Sequence, residues 1–141
     1  MTKTKGKKKE SINFEEREQI VFNRHYDPAN YDDGGICKFE KISYITVKKL
    51  LEKGYLFPDS SCDCGPEVSE FVSFVEEHNP DNWYFHGYVV SANRRDTRVT
   101  IEGIGSFKPL DPDSLIDFLQ YFRIADEIMD EKDQPVYCWY D

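Results

Sequence analysis

The chain has four cysteines and three histidines, the side chains best suited to hold zinc or, for the thiols, to act as nucleophiles. Cys62 and Cys64 stand closest together, in Cys62-Asp63-Cys64-Gly65, and Cys37, Cys138 or His78 would have to supply a third ligand. Structural zinc pairs are separated by about two to four residues rather than one, and no second close pair follows, so the spacing predicts ordinary thiols and no metal. A disulfide across one residue would be strained, and no cation stands beside either thiol to activate it. The alternative reading in chemical terms is a small metal-dependent hydrolase using Cys62, Cys64 and a histidine.

A second constellation is His86, Tyr88, Arg98 and Glu102. On adjacent strands these could place an acid, a base and a cation on one surface, the minimum for general acid/base work. Alternation also turns polar groups outward on any half-solvated antiparallel sheet, which is the commoner explanation. No nucleophile elbow, phosphate-binding glycine loop or His-Glu-x-x-His motif accompanies them. The reading therefore leans away from an enzyme and expects no cofactor.

Acid is the most concentrated chemistry. The net charge is −9, and five lysines lie within the first nine residues, so the remainder of the chain carries −14. From Pro109 onward the only cationic side chains are Arg123 and Lys132, against Asp113, Asp117, Asp126, Glu127, Asp130, Glu131 and others. These six acids are the candidate partner-binding residues. Their field repels nucleic-acid phosphates and draws a basic protein. Tyr84, Phe85, Tyr88, Tyr137, Trp139 and Tyr140 could stack bases, but base stacking is normally paired with a basic groove, so most of these rings are expected in the core. The turn-rich Asp27–Gly35 stretch lacks the ligand spacing of a calcium loop.

The elements that must position these residues are legible from caps and periodicity. Asn13 caps a first helix carrying Phe14, Ile20, Val21 and Phe22. Ser43 or Thr46 starts a second, which Gly54 closes. Pro66 suits the first position of a third, with Val68, Phe71, Val72 and Val75 on its buried face. Residues 82–91 and 97–104 are aromatic, β-branched and alternating, and they predict an antiparallel hairpin about a loop at Asn93-Arg94-Arg95-Asp96. Asp111-Pro112 begins a fourth helix, with Leu115, Phe118, Leu119, Phe122, Ala125 and Met129 along one stripe. Residues 135–140 form a last strand.

A hydrophobic content of 39% with 15% aromatics supports a folded core, while residues 1–10 offer nothing apolar after Met1 and are expected to be a flexible basic tail. No apolar run could span a bilayer, and the lysine-rich start leads into no apolar signal region; the expectation is a cytoplasmic protein with reduced thiols and no membrane partner.

The segments Phe85-His86-Gly87-Tyr88-Val89-Val90-Ser91, Arg98-Val99-Thr100-Ile101-Glu102-Gly103-Ile104, Ala125-Asp126-Glu127 and Tyr137-Cys138-Trp139-Tyr140-Asp141 resemble small uncharacterised acidic proteins of bacterial mobile elements. The resemblance covers roughly the C-terminal two thirds. It implies an accessory or anti-defence setting and transfers no catalytic residue.

The sequence thus predicts a single α+β domain over residues 11–141, with N-terminal helices, an antiparallel hairpin, a helix and a final strand in one small sheet. Its expected role is that of a non-enzymatic acidic binding or regulatory protein that engages a basic partner, with DNA mimicry as one form of that role.

Overall fold

A computed structural model describes residues 12–62, 65–131 and 133–140. The expected basic tail lies outside the described residues. The chain forms helices α1 (Phe14–Phe22), α2 (Tyr44–Lys53), α3 (Val68–Glu77) and α4 (Pro112–Tyr121), and strands β1 (Ile36–Ser43), β2 (Trp83–Val90), β3 (Arg98–Ser106), β4 (Glu127–Met129) and β5 (Tyr137–Trp139). All strand pairings are antiparallel, in the order β1-β2-β3-β5-β4. The α+β class is as the sequence predicts, and the last strand does join the hairpin's sheet.

Local chemistry sets the helix ends. The Asn13 side chain accepts from the Glu16 amide at 2.9 Å, Ser43 from Thr46 at 3.1 Å, and Asp111 from Ser114 at 3.1 Å. Gly54 closes α2 at φ 78°, a left-handed conformation that only glycine adopts without penalty. Two boundaries differ from the sequence reading. Helix α3 begins at Val68 rather than Pro66, because Glu67 caps it and its amide donates to the Glu70 carboxylate at 2.8 Å in a reciprocal capping box. Helix α4 ends at Tyr121, so the expected stripe does not continue to Met129: Asp126 instead donates its amide to Trp139, and Glu127–Met129 pair with β5 as the outermost strand.

Strand β1 has no counterpart in the sequence reading. A register shift between Phe39 and Ile42 places its two buried residues three apart, which hides the period of two expected of a strand.

The helices cover one face of the sheet. Val47, Leu50, Val68, Phe71, Phe74, Val75, Phe118 and Phe122 meet Trp83, Phe85, Val89, Val99, Ile101 and Ile104 there. Phe71 and Phe122 stack at 5.5 Å, and Phe118 stacks on Trp83 at 5.9 Å. Helix α1 brings charge into this interior: Arg17 and Glu18 are each 1% exposed. Arg17 donates to the Val90 carbonyl at 3.2 Å and Thr97 Oγ1 at 3.0 Å, while Glu18 accepts from Arg24 at 2.8 Å and Tyr31 at 2.6 Å. The Arg17 bonds tie α1 to the base of the β2–β3 turn, and the Glu18 bonds tie it to the segment before β1. Among the described residues the opposite face of the sheet carries no helix, and the site lies on it.

Candidate functional site

A cleft of about 370 Å³ opens on that uncovered face, lined among others by Lys38 and Lys41 of β1, Tyr84 and His86 of β2, Glu102 of β3, Glu127 of β4, and Tyr137 and Trp139 of β5. It exists because β3 gives it room. Gly103 pairs with His86, and Gly105 pairs with Tyr84. Lacking side chains, these glycines let both rings lie down across β3, and a Cβ on Gly103 would stand only 2.6 Å from His86 Nε2. A register shift between His86 and Gly87 leaves Glu102 as the extra residue of β3 at this point.

His86 reaches over β3 and donates Nε2–H to the Cys138 carbonyl at 2.9 Å. A carbonyl oxygen only accepts, so the proton is on Nε2 and the lone pair is on Nδ1. Nδ1 has no hydrogen-bond partner among the described residues. Burial pushes the imidazole's pKa below its ordinary value, against the opposing effect of the Cys138 bond. Tyr137 stacks on the imidazole at 5.1 Å with rings 20° apart, and its hydroxyl donates to Glu127 at 3.4 Å. Burial, reinforced by the Glu127 charge, holds the Tyr137 phenol up at about 12. On the other wall Lys41 Nζ sits 5.2 Å from the centre of the Tyr84 ring.

The four residues singled out as a possible surface site divide here. His86 and Glu102 line the cleft, whereas Tyr88 and Arg98 lie further along the sheet, where Arg98 bonds the Asp96 carboxylate at 3.1 Å and the Tyr88 hydroxyl at 3.4 Å. The expectation that most of the rings are core holds for Phe85 and Tyr140 but not for Tyr84, Tyr88, Tyr137 and Trp139, which are half-buried. The alternation of Gly103 and Gly105 in a strand, opposite Tyr84 and His86, is the signal that could have announced the cleft.

The six candidate acids are all exposed and do not share one surface. Asp113 and Asp117 lie on α4, and Asp117 faces His78 Nε2 at 3.1 Å across a groove between α3 and α4 that Phe74, Glu77, Gln120 and Tyr121 also line. Burial, and then the charges of Glu70 and Glu77 on α3, raise the Tyr121 phenol's pKa, so α3 adds its own acids to this face. Asp126, Glu127, Asp130 and Glu131 lie in or beside β4, with Glu127 turned into the cleft. Asp113, Asp130 and Glu131 meet no cation among the described residues.

Cys62 is buried, its thiol against the Tyr140 carbonyl at 3.5 Å, and Cys64 lies outside the described residues. Among the described residues no group of three histidines, cysteines or carboxylates is placed to hold a metal ion, and no helix is long and apolar enough to cross a membrane. Burial pushes the Cys138 thiol up to about 12, which leaves it a poor nucleophile.

No family model, curated protein or solved structure matches the chain.

Proposed function

We propose that the chain is a non-enzymatic binding protein that engages a basic protein partner through its exposed acids, on α4 and in and beside β4. One observation carries the reading: the acids are interleaved with apolar side chains held out in solvent. Ile116 is 52% exposed and Ile124 69%, and Phe107, Tyr121 and Met129 are also exposed within the same stretch of chain. A surface that served solubility alone would not present isoleucines, because each leaves apolar area in water; acids with exposed aliphatic and aromatic groups are what a protein interface requires. On α4, Asp113, Ile116, Asp117, Gln120 and Tyr121 recur at helical spacing and so share its outer face. The resemblance to acidic proteins of bacterial mobile elements supports an accessory or anti-defence setting, in which the charges stand in for a DNA backbone before a basic nucleic-acid-binding protein.

The test is capture from the host with the wild-type chain and with a variant carrying Asp113→Asn, Asp117→Asn, Asp126→Asn and Asp130→Asn. The expected result is a basic protein that the wild type retains and the variant loses, with retention falling as salt rises. Equal retention by both chains, or a partner of acidic character, would overturn the reading.

A further inference from the structure

We propose that the cleft on the open face of the sheet receives an arginine side chain of the basic partner, its guanidinium bridging His86 Nδ1 and the Glu127 carboxylate and lying against the aromatic wall. The inference rests on the binding function proposed above and names what the partner inserts where it meets the acids in and beside β4, Glu127 among them.

Two of the cleft's polar groups, His86 and Glu127, ask for a donor, beside the lysines Lys38 and Lys41 that also line it. His86 is 8% exposed, and with Nε2 committed to the Cys138 carbonyl its Nδ1 is an acceptor without a partner among the described residues, in a residue that lines the cleft. Glu127 supplies a carboxylate to the same lining, bonded by the Tyr137 hydroxyl at 3.4 Å. Tyr137, one face of which stacks on the imidazole, and Trp139 line the same cleft. That rings in this cleft accept a cation is already visible at Tyr84, against which Lys41 Nζ lies at 5.2 Å.

Guanidinium is the side-chain group whose chemistry fits this set. It is planar, carries five donors and no acceptor, binds a carboxylate through more than one N–H, and stacks on aromatic faces. A lysine ammonium lacks the plane. A phosphate or carboxylate would find Nδ1 and Glu127 both offering lone pairs, although Lys38 and Lys41 on the β1 wall would attract it. An anion is therefore the competing occupant, and the test includes it.

The experiment titrates the full ¹⁵N-labelled chain with N-acetyl-arginine methylamide, with the corresponding lysine derivative, and with inorganic phosphate, following the imidazole nitrogens of His86 by NMR. The arginine derivative is expected to move Nδ1 saturably while Nε2 stays nearly fixed, with a dissociation constant on the order of millimolar for so small a probe. The lysine derivative should bind about fivefold more weakly or worse, and Glu127→Gln should weaken the arginine derivative by a similar factor. His86→Phe keeps a ring beneath Tyr137 and removes the acceptor; its binding, followed at Trp139, should fall likewise. Glu127→Gln lies at an exposed position and serves if that variant does not fold.

An unmoved Nδ1, equal binding of the lysine derivative, or a larger response to phosphate would overturn the proposal. If the probe fails while the four-Asn variant still loses a basic partner, the cleft's occupant is wrong and the wider reading stands. If the probe binds but no basic partner depends on those acids, the wider reading fails instead.

Discussion

His86 and Cys138 are joined across an intervening strand: the imidazole on β2 passes over Gly103 of β3 and donates to the Cys138 carbonyl on β5 at 2.9 Å. The glycine is the condition for that bond. Gly103→Ala would drive a methyl group against both the Cys138 carbonyl and the imidazole, and the backbone side of that contact cannot swing away. The expected cost is roughly 1–3 kcal/mol, as for other overpacked interiors. Thermal melting should show a fall of about 3–10 °C. A melting temperature equal to wild type would mean that β3 and β5 part easily here.

The same imidazole gives the stability a pH dependence. Burial lowers its folded pKa below the ordinary 6.5, so the unfolded chain takes up the proton first as pH falls. Its contribution is fully present above the unfolded value and is lost as pH drops through the folded one. Between about pH 7.5 and about pH 5, the urea midpoint of the wild type should therefore fall further than that of His86→Phe. Parallel declines would show that His86 is not the group responsible.

Arg17 and Glu18 are adjacent, equally buried, and should respond oppositely to substitution. Glu18 receives bonds from Arg24 and Tyr31, so Glu18→Ala strands both donors and is expected to cost about 3 kcal/mol or more. Arg17 keeps Nε and Nη1 buried without hydrogen-bond partners, so its two Nη2 bonds offset only part of its desolvation cost. Arg17→Met, similar in length and apolar, should be within about 1.5 kcal/mol of wild type or more stable. Urea unfolding of the two variants checks the contrast.

Neutralising Asp113, Asp117, Asp126 and Asp130 should leave the melting temperature unchanged or raise it. Asp113 and Asp117 stand four apart on α4 and repel, and relieving such a pair gains a few tenths of a kcal/mol. A marked loss of stability would show that these acids serve the fold, against the interface reading.

What could be read from the sequence was whatever local chemistry decides. Asn13, Ser43, Gly54 and Asp111-Pro112 mark helix ends because each satisfies a backbone group within its own few residues. The hairpin of β2 and β3 was legible from its alternation. Strand β1 was not, since its register shift places Phe39 and Ile42 out of step, and β4 was too short to show a period of its own. The cleft needed more still. His86 and Glu102 were picked out by residue type, but their joining with Tyr137 and Glu127 depends on β5 lying between β3 and β4, an order fixed by long-range pairing. Burial of Arg17 and Glu18 ran against their residue types and had no signal in the pattern of α1.

The two ends of the sheet have a consequence for how another protein can approach. A free strand edge invites a second chain to pair with it, and the outermost strand β4 offers only Glu127–Met129, with acids at Asp126, Glu127, Asp130 and Glu131 in and around it. At the other end β1 presents exposed Lys38, Glu40 and Lys41 along an irregular register. Short, charged and kinked edges resist main-chain zippering. Among the described residues, both borders thus disfavour strand addition and fibril-like growth, and leave side chains on the faces of the fold as the more open route of approach.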